Sequence, residues 1–144
     1  VSGGLPPDLE RAYRATRFVA QAGADAITIR IGERCAALDA LCDRYQTDCW
    51  TFITAWNPGS AQRPRPENDA RNDELLAALS ELGASVFGGE GIGADSRWTP
   101  ERSFLALGVS RDEAVALGHR FGQLAVVCGR VEEPAELLSC ALPG

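Results

Sequence analysis

Cys49-Trp50-Thr51-Phe52-Ile53-Thr54-Ala55-Trp56 is a run in which nearly every residue is apolar, β-branched or aromatic. It has no polar face to turn toward water, so it reads as a strand covered on both sides. The segments that follow must supply that cover. Glu67 to Leu82 has a helical pattern that opens after Pro66 and stops at Gly83. A strand is expected from Ala84 to about Ile92 and another from Ser103 to Leu107. Ser110-x-x-Glu113 is a capping box, and it opens a helix that ends near Phe121-Gly122. Leu124-Ala125-Val126-Val127-Cys128 reads as the last strand.

The order from Trp50 onward is therefore β-α-β-β-α-β, the split βαβ arrangement of ferredoxin-like folds. The expected class is α/β (α+β), with this core over residues 49–128 and a mixed sheet. An N-terminal α-β-α extension is expected over residues 7–48. Its first helix runs from Pro7 to about Ala20, with Leu9, Tyr13, Thr16 and Ala20 on one stripe. Ala26 to Ile31 gives an edge strand, and Glu33 to Tyr45 the second helix. Residues 129–144, with Pro134 and Pro143, read as a tail with one helical turn. No repeat or linker divides the chain, so residues 1–144 are expected to form a single domain.

The absences narrow the chemistry. The 14 basic residues are all Arg, and a chain without Lys has neither P-loop nor Schiff-base chemistry. His119 is the only His, too few for a multi-His metal site, and it falls inside an expected helix. The five Cys (Cys35, Cys42, Cys49, Cys128 and Cys140) are odd in number and show no Cys-x-x-Cys spacing, so reduced, buried thiols are expected. A net charge of −6 argues against duplex nucleic acid and anionic membranes, since both call for a basic face. No apolar run approaches a membrane span. Val1-Ser2-Gly3-Gly4-Leu5 lacks the layout of a signal peptide, and without an initiator Met a processed end is expected. These features together lead to the expectation of a soluble, cytoplasmic protein.

Three clusters could carry function. The connection Asn57-Pro58-Gly59-Ser60-Ala61-Gln62-Arg63-Pro64-Arg65-Pro66 exceeds the two to six or so residues usual between strand and helix. On the helix that it feeds, Leu75, Leu79 and Leu82 define the apolar stripe. Asn68 falls at the centre of that stripe, Asn72 beside it and Arg71 at its edge. Polar groups so placed must find partners, either the returning loop or a ligand at the helix N-terminus. The third cluster is Gly88-Gly89-Glu90-Gly91-Ile92-Gly93-Ala94-Asp95. Its glycines alternate along a strand and do not open a helix, so it is not a dinucleotide fingerprint. A row of Gly on one face marks a bend or a close approach by Trp98, another aromatic or a ligand. Glu90 points to the opposite face, either paired, with Arg71 as a candidate, or functional. Gln123 is a weaker candidate at the start of the last strand.

Four ordered motifs also carry a resemblance. They are Thr54-Ala55-Trp56-Asn57-Pro58-Gly59-Ser60, then Glu67-Asn68-x-x-Arg71-Asn72, then Gly89 to Asp95 with Trp98, and last Phe121-Gly122-Gln123. Together they resemble a bacterial family known as domain of unknown function 3293, over most of the chain from Tyr13 to Val127. The resemblance implies a small bacterial protein and brings no activity with it.

The expectation drawn from the residues is a small-ligand site at the carboxyl end of the Trp50–Trp56 strand. Asn57, Ser60, Asn68 and Asn72 would bind, Trp56 or Trp98 would stack, and the ligand would be a nucleotide or a small anionic metabolite. If the site is catalytic, Glu90 is the expected general base and Arg71 the charge stabiliser. The alternative is a non-catalytic interaction or regulatory module in which the same motifs lock the loop to the sheet. No cofactor, metal or oligomeric state follows from the sequence.

Overall fold

The strand that the sequence marks as covered on both faces lies deep in the sheet. The computed structural model describes residues 5–95 and 99–140. Its elements in chain order are α1 (Pro7–Arg14), β1 (Arg17–Ala22), β2 (Asp25–Ile29), α2 (Ala36–Arg44), β3 (Cys49–Ile53), α3 (Arg65–Glu81), β4 (Ser85–Ile92), β5 (Glu101–Leu107), α4 (Arg111–Arg120), β6 (Ala125–Arg130) and β7 (Glu136–Ser139), with a 3-10 turn at Pro58–Ser60. The strands form one seven-stranded sheet in the order β2-β1-β4-β5-β3-β6-β7. Every pairing of neighbouring strands is antiparallel. The sheet curls until its two edges approach, and Ile31 bridges to Ala135.

Alternation along the strands fills both faces. Phe18, Ala20, Trp50, Phe52, Leu105, Leu107, Val127 and Leu137 point to the inner face of the curl and pack with Leu38, Leu41 and Cys42 of α2. Their neighbours Ile53, Phe104, Ala106, Val126, Cys128 and Leu138 point to the outer face. There α3 brings Leu75, Ala78 and Leu79, and α4 brings Ala114 and Leu117, so both helices pack on the same face. At roughly 25 cal/mol per Å² of apolar area removed from water, these two layers are the main stabilising contribution. The capping box at Ser110 and Glu113 forms with both of its hydrogen bonds.

Four expectations need correction. The sheet is antiparallel throughout rather than mixed, because β5 inserts between β3 and β4 and the α3 crossover therefore never sets two parallel strands side by side. The N-terminal extension is α-β-β-α, since residues 17–22 form β1 and do not continue the first helix. Phe18, Ala20 and Ala22 are buried while Arg17 and Gln21 are exposed, a period of two. Pairing with β2 and β4 selects that period over the helical stripe that the same letters allow. The expected tail holds β7, which pairs with β6 and sends Leu137 and Leu138 to opposite faces. Leu82, assigned to the buried stripe of α3, is exposed at the helix end, and Ala78 takes the buried place. Among the described residues, no helix is long and apolar enough to cross a membrane.

Candidate functional site

Where β3 ends, the chain leaves the sheet through Thr54 to Asn57, and the first turns of α3 hold this segment. Asn72 accepts from the Ala55 N–H at 2.9 Å and donates to the Arg102 carbonyl at 3.0 Å. Asn68 accepts from the Asn57 N–H at 2.8 Å and donates to Asn57 Oδ1 at 2.8 Å and to the Arg63 carbonyl at 3.2 Å. Arg71 donates to the carbonyls of Ala55 at 3.3 Å and Phe121 at 2.7 Å. On the other side, the Gly59 N–H reaches the Gly122 carbonyl at 2.7 Å, and Gln123 donates to the Trp56 carbonyl at 3.2 Å. Gly122 has φ of 74°, and a Cβ there would press on the Pro58 ring at 2.7 Å. Asn68 and Asn72 are buried, and among the described residues no buried side-chain polar atom lacks a partner. This cluster closes on itself and clamps the loop between α3 and the end of α4.

A cleft of about 350 Å³ lies on the other side of that clamped segment. It occupies the inner face at the end of the curl where β3 and β4 finish and β1, β5 and β6 begin. The glycine row explains why this end is hollow. Gly89 and Gly91 share the inner face of β4, and Gly93 follows its last residue. A Cβ at Gly89 would run into the Val19 carbonyl and lie 3.1 Å from the Phe52 ring, so glycine there lets β1 approach. A Cβ at Gly91 would touch Phe18 and Thr16 only at 3.9 Å, and one at Gly93 would meet no described residue within 4 Å. The core is filled at Gly89 and bare at Gly91 and Gly93. Phe18, Phe52, Ala125 and Val127 form the floor, Leu9, Ala12 and Tyr13 of α1 lie over it, and Trp56, Asn57, Gln62 and Gln123 form the rim.

Among the described residues of the lining, Glu101 is the only acid. It stands on the same face of β5 as Ser103, Leu105 and Leu107. Burial raises its pKa above the usual carboxylate range, and a hydrogen bond from Asn57 Nδ2 at 3.4 Å opposes that shift. Across the cleft, burial pushes the Tyr13 phenol up to about 12, with the charges of Glu101 and Cys140 adding to the effect. A partly desolvated carboxyl beside a phenol is a hydrogen-bond acceptor that burial makes harder to ionise.

The residues anticipated from sequence divide between the two sides. Trp56, Asn57 and Gln123 line the cleft, while Asn68, Arg71 and Asn72 lie behind it in the clamp. Ser60 belongs to the 3-10 turn, and Trp98 lies outside the described residues. Glu90 and Arg71 are not brought together. Glu90 is exposed on the helix-covered side of β4, opposite Arg102, whose guanidinium bonds Asp69 at 3.1 Å. His119 is exposed, with Nδ1 3.1 Å from the Cys140 carbonyl. Glu101 and Tyr13 escape the sequence reading. The signal for Glu101 is its alternation with Ser103, Leu105 and Leu107, visible once β5 is started two residues earlier. Among the described residues no group of three or more His, Cys, Asp or Glu could hold a metal ion.

A family model described as protein of unknown function (DUF3293) matches residues 53–126. That span, just over half of the chain, takes in the clamp, the glycine row, Glu101 and Gln123, and the chain belongs to this family. No curated protein and no solved structure matches the chain.

Proposed function

We propose that this member of the family binds a small ligand in the cleft between the inner face of the sheet, α1 and the rim at Trp56–Gln62. The observation that carries the reading is the open inner face at Gly91 and Gly93 beside Glu101. Its volume of about 350 Å³ falls within the range of small-molecule sites, and its lining is mostly apolar with a few convergent polar groups. The clamp of Asn68, Arg71 and Asn72 is then the support of the site. It fixes the Thr54–Asn57 segment, from which Thr54, Trp56 and Asn57 face the cleft.

The fold offers a frame for such a site. The order β4-β5-β3-β6, with α3 and α4 on one face, supports reading residues 49–128 as a ferredoxin-like split βαβ core. In that reading β1, β2 and β7 extend the sheet and curl it around the cleft. A second reading, an interaction module without a ligand, draws on the clamp being fully self-satisfied. It leaves the hollow at Gly93 without a purpose.

Thermal-shift screening of metabolites against wild type and Gly93→Phe tests the proposal. A ligand at 100 times its dissociation constant stabilises by about 2.7 kcal/mol. The added ring has open space to enter, so the variant should fold and lose that response. A ligand that stabilises both proteins equally, or a screen without a hit, favours the interaction module.

A further inference from the structure

We infer that the ligand is an organic cation, an apolar body carrying a protonated amine or amidine that docks against the Glu101 carboxylate. This rests on the cleft being the ligand site and goes on to name what it takes. Among the described residues of the lining there is one acid, Glu101, and no Arg or His, and the chain has no Lys. Three arginines nearby are engaged elsewhere: Arg71 on the carbonyls of Ala55 and Phe121, Arg102 on Asp69, and Arg63 on Glu67 at 3.4 Å. An anionic ligand would therefore bring a second negative charge beside Glu101 in a partly desolvated space, with no cation among the described lining residues to offset it.

The carboxylate has acceptor capacity to spare. An ionised carboxylate offers about four lone-pair sites. Here one oxygen, Oε2, takes a single long hydrogen bond, from Asn57 at 3.4 Å. Asn57 cannot turn away, because its Oδ1 accepts from Asn68 and from the Arg63 N–H at 3.0 Å. The clamp thus sets the Asn57 amide, and the amide sets Glu101. Trp56, Tyr13, Phe18 and Phe52 surround the same space, and aromatic faces attract cations by their quadrupoles. Apolar walls, one carboxylate and aromatic rings are complementary to an amine or amidine on a hydrocarbon or aromatic skeleton. They are not complementary to a phosphate or carboxylate, so the inference departs from the nucleotide or small anionic metabolite expected from the sequence.

Two matched series test it, each keeping one skeleton and changing the charge: phenethylamine, 2-phenylethanol and 3-phenylpropionate, then benzamidine, benzamide and benzoate. Binding is measured by calorimetry with wild type, Glu101→Gln and Gly93→Phe. The expected result is cations at least tenfold tighter than their carboxylates, and at least tenfold weaker in Glu101→Gln. The neutral members should stay within about twofold in that variant. A preference for carboxylates, a cation preference that survives Glu101→Gln, or no binding by any of the six overturns the inference. Binding without charge preference that Gly93→Phe abolishes leaves the cleft as the site and removes only its specificity for cations. Cation binding that survives Gly93→Phe removes the cleft as well.

Discussion

Asn57 and Asn68 grip each other through two hydrogen bonds of 2.8 Å, backbone N–H to amide oxygen in one direction and amide N–H to amide oxygen in the other. Asn57 adopts a left-handed backbone with φ of 46°, a conformation that Asn tolerates better than most residues. Its own amide then reaches Glu101, so one short chain of contacts joins the clamp behind the loop to the cleft in front of it.

Asn68→Leu should therefore destabilise the protein without any ligand present. The substitution strands the Asn57 N–H and the Arg63 carbonyl, each at a cost of about 1–3 kcal/mol. Urea denaturation should show a loss of about 2 kcal/mol or more. A variant as stable as wild type would mean that water replaces the amide and that the clamp is open.

Gly89→Ala and Gly93→Ala should behave oppositely, although the two glycines belong to one alternating row at the end of β4. At Gly89 the new methyl meets the Val19 carbonyl and the Phe52 ring, and overpacking of this kind costs about 1–3 kcal/mol. At Gly93 it enters open space, and the change should stay within about 0.5 kcal/mol. Equal losses in a denaturation series would contradict the hollow at Gly93.

Glu101→Gln should stabilise the ligand-free protein at neutral pH. Burial raises the folded-state pKa of Glu101, so the native state holds its proton at pH values where the unfolded chain has released it. Stability contributed at low pH is then lost as pH rises from the ordinary carboxylate value through the raised one. The amide removes that loss while its oxygen still accepts from Asn57. Unfolding measured from pH 3 to 8 should give curves that coincide in acid and separate as pH rises, with the variant higher. Curves that separate in the other direction would show that the ionised carboxylate is stabilised in the fold.

The cysteines should titrate as five free thiols in the unfolded, unreduced protein, and slowly in the native one. Burial pushes Cys42 and Cys128 up to about 11 and Cys140 up to about 12, so thiolate is scarce at pH 8. Cys35 and Cys49, only half-buried, should react first with a maleimide. Fast labelling of Cys140 in the native state would place it outside the core.

Much of this could be read from the chain because local pattern and tertiary demand agree. The first part of the apolar run at Trp50–Trp56 became β3, which ends at Ile53, and Ser110 and Glu113 capped α4. Asn68 and Asn72 proved buried, as their place on the stripe required. Agreement failed where one set of letters fits two periods. Tyr13, Thr16 and Ala20 suit a helix, but Phe18, Ala20 and Ala22 suit a strand, and only β4 beside them decides between the two.

The site divides along the same line. Residue order alone determined that amides would be buried at the start of α3 and that a glycine face would run along β4, because helical and strand periodicities are local properties of the backbone. Whether each buried amide met a loop or a ligand, and whether each glycine met a backbone or a hollow, was decided by residues distant in sequence. Val19 and Phe52 fill the space at Gly89, no described residue fills it at Gly93, and Glu101 supplies the carboxylate that was expected of Glu90. The physical reason is that a strand fixes which face a side chain takes, while the curl of the sheet and the packing of other strands fix what that face meets.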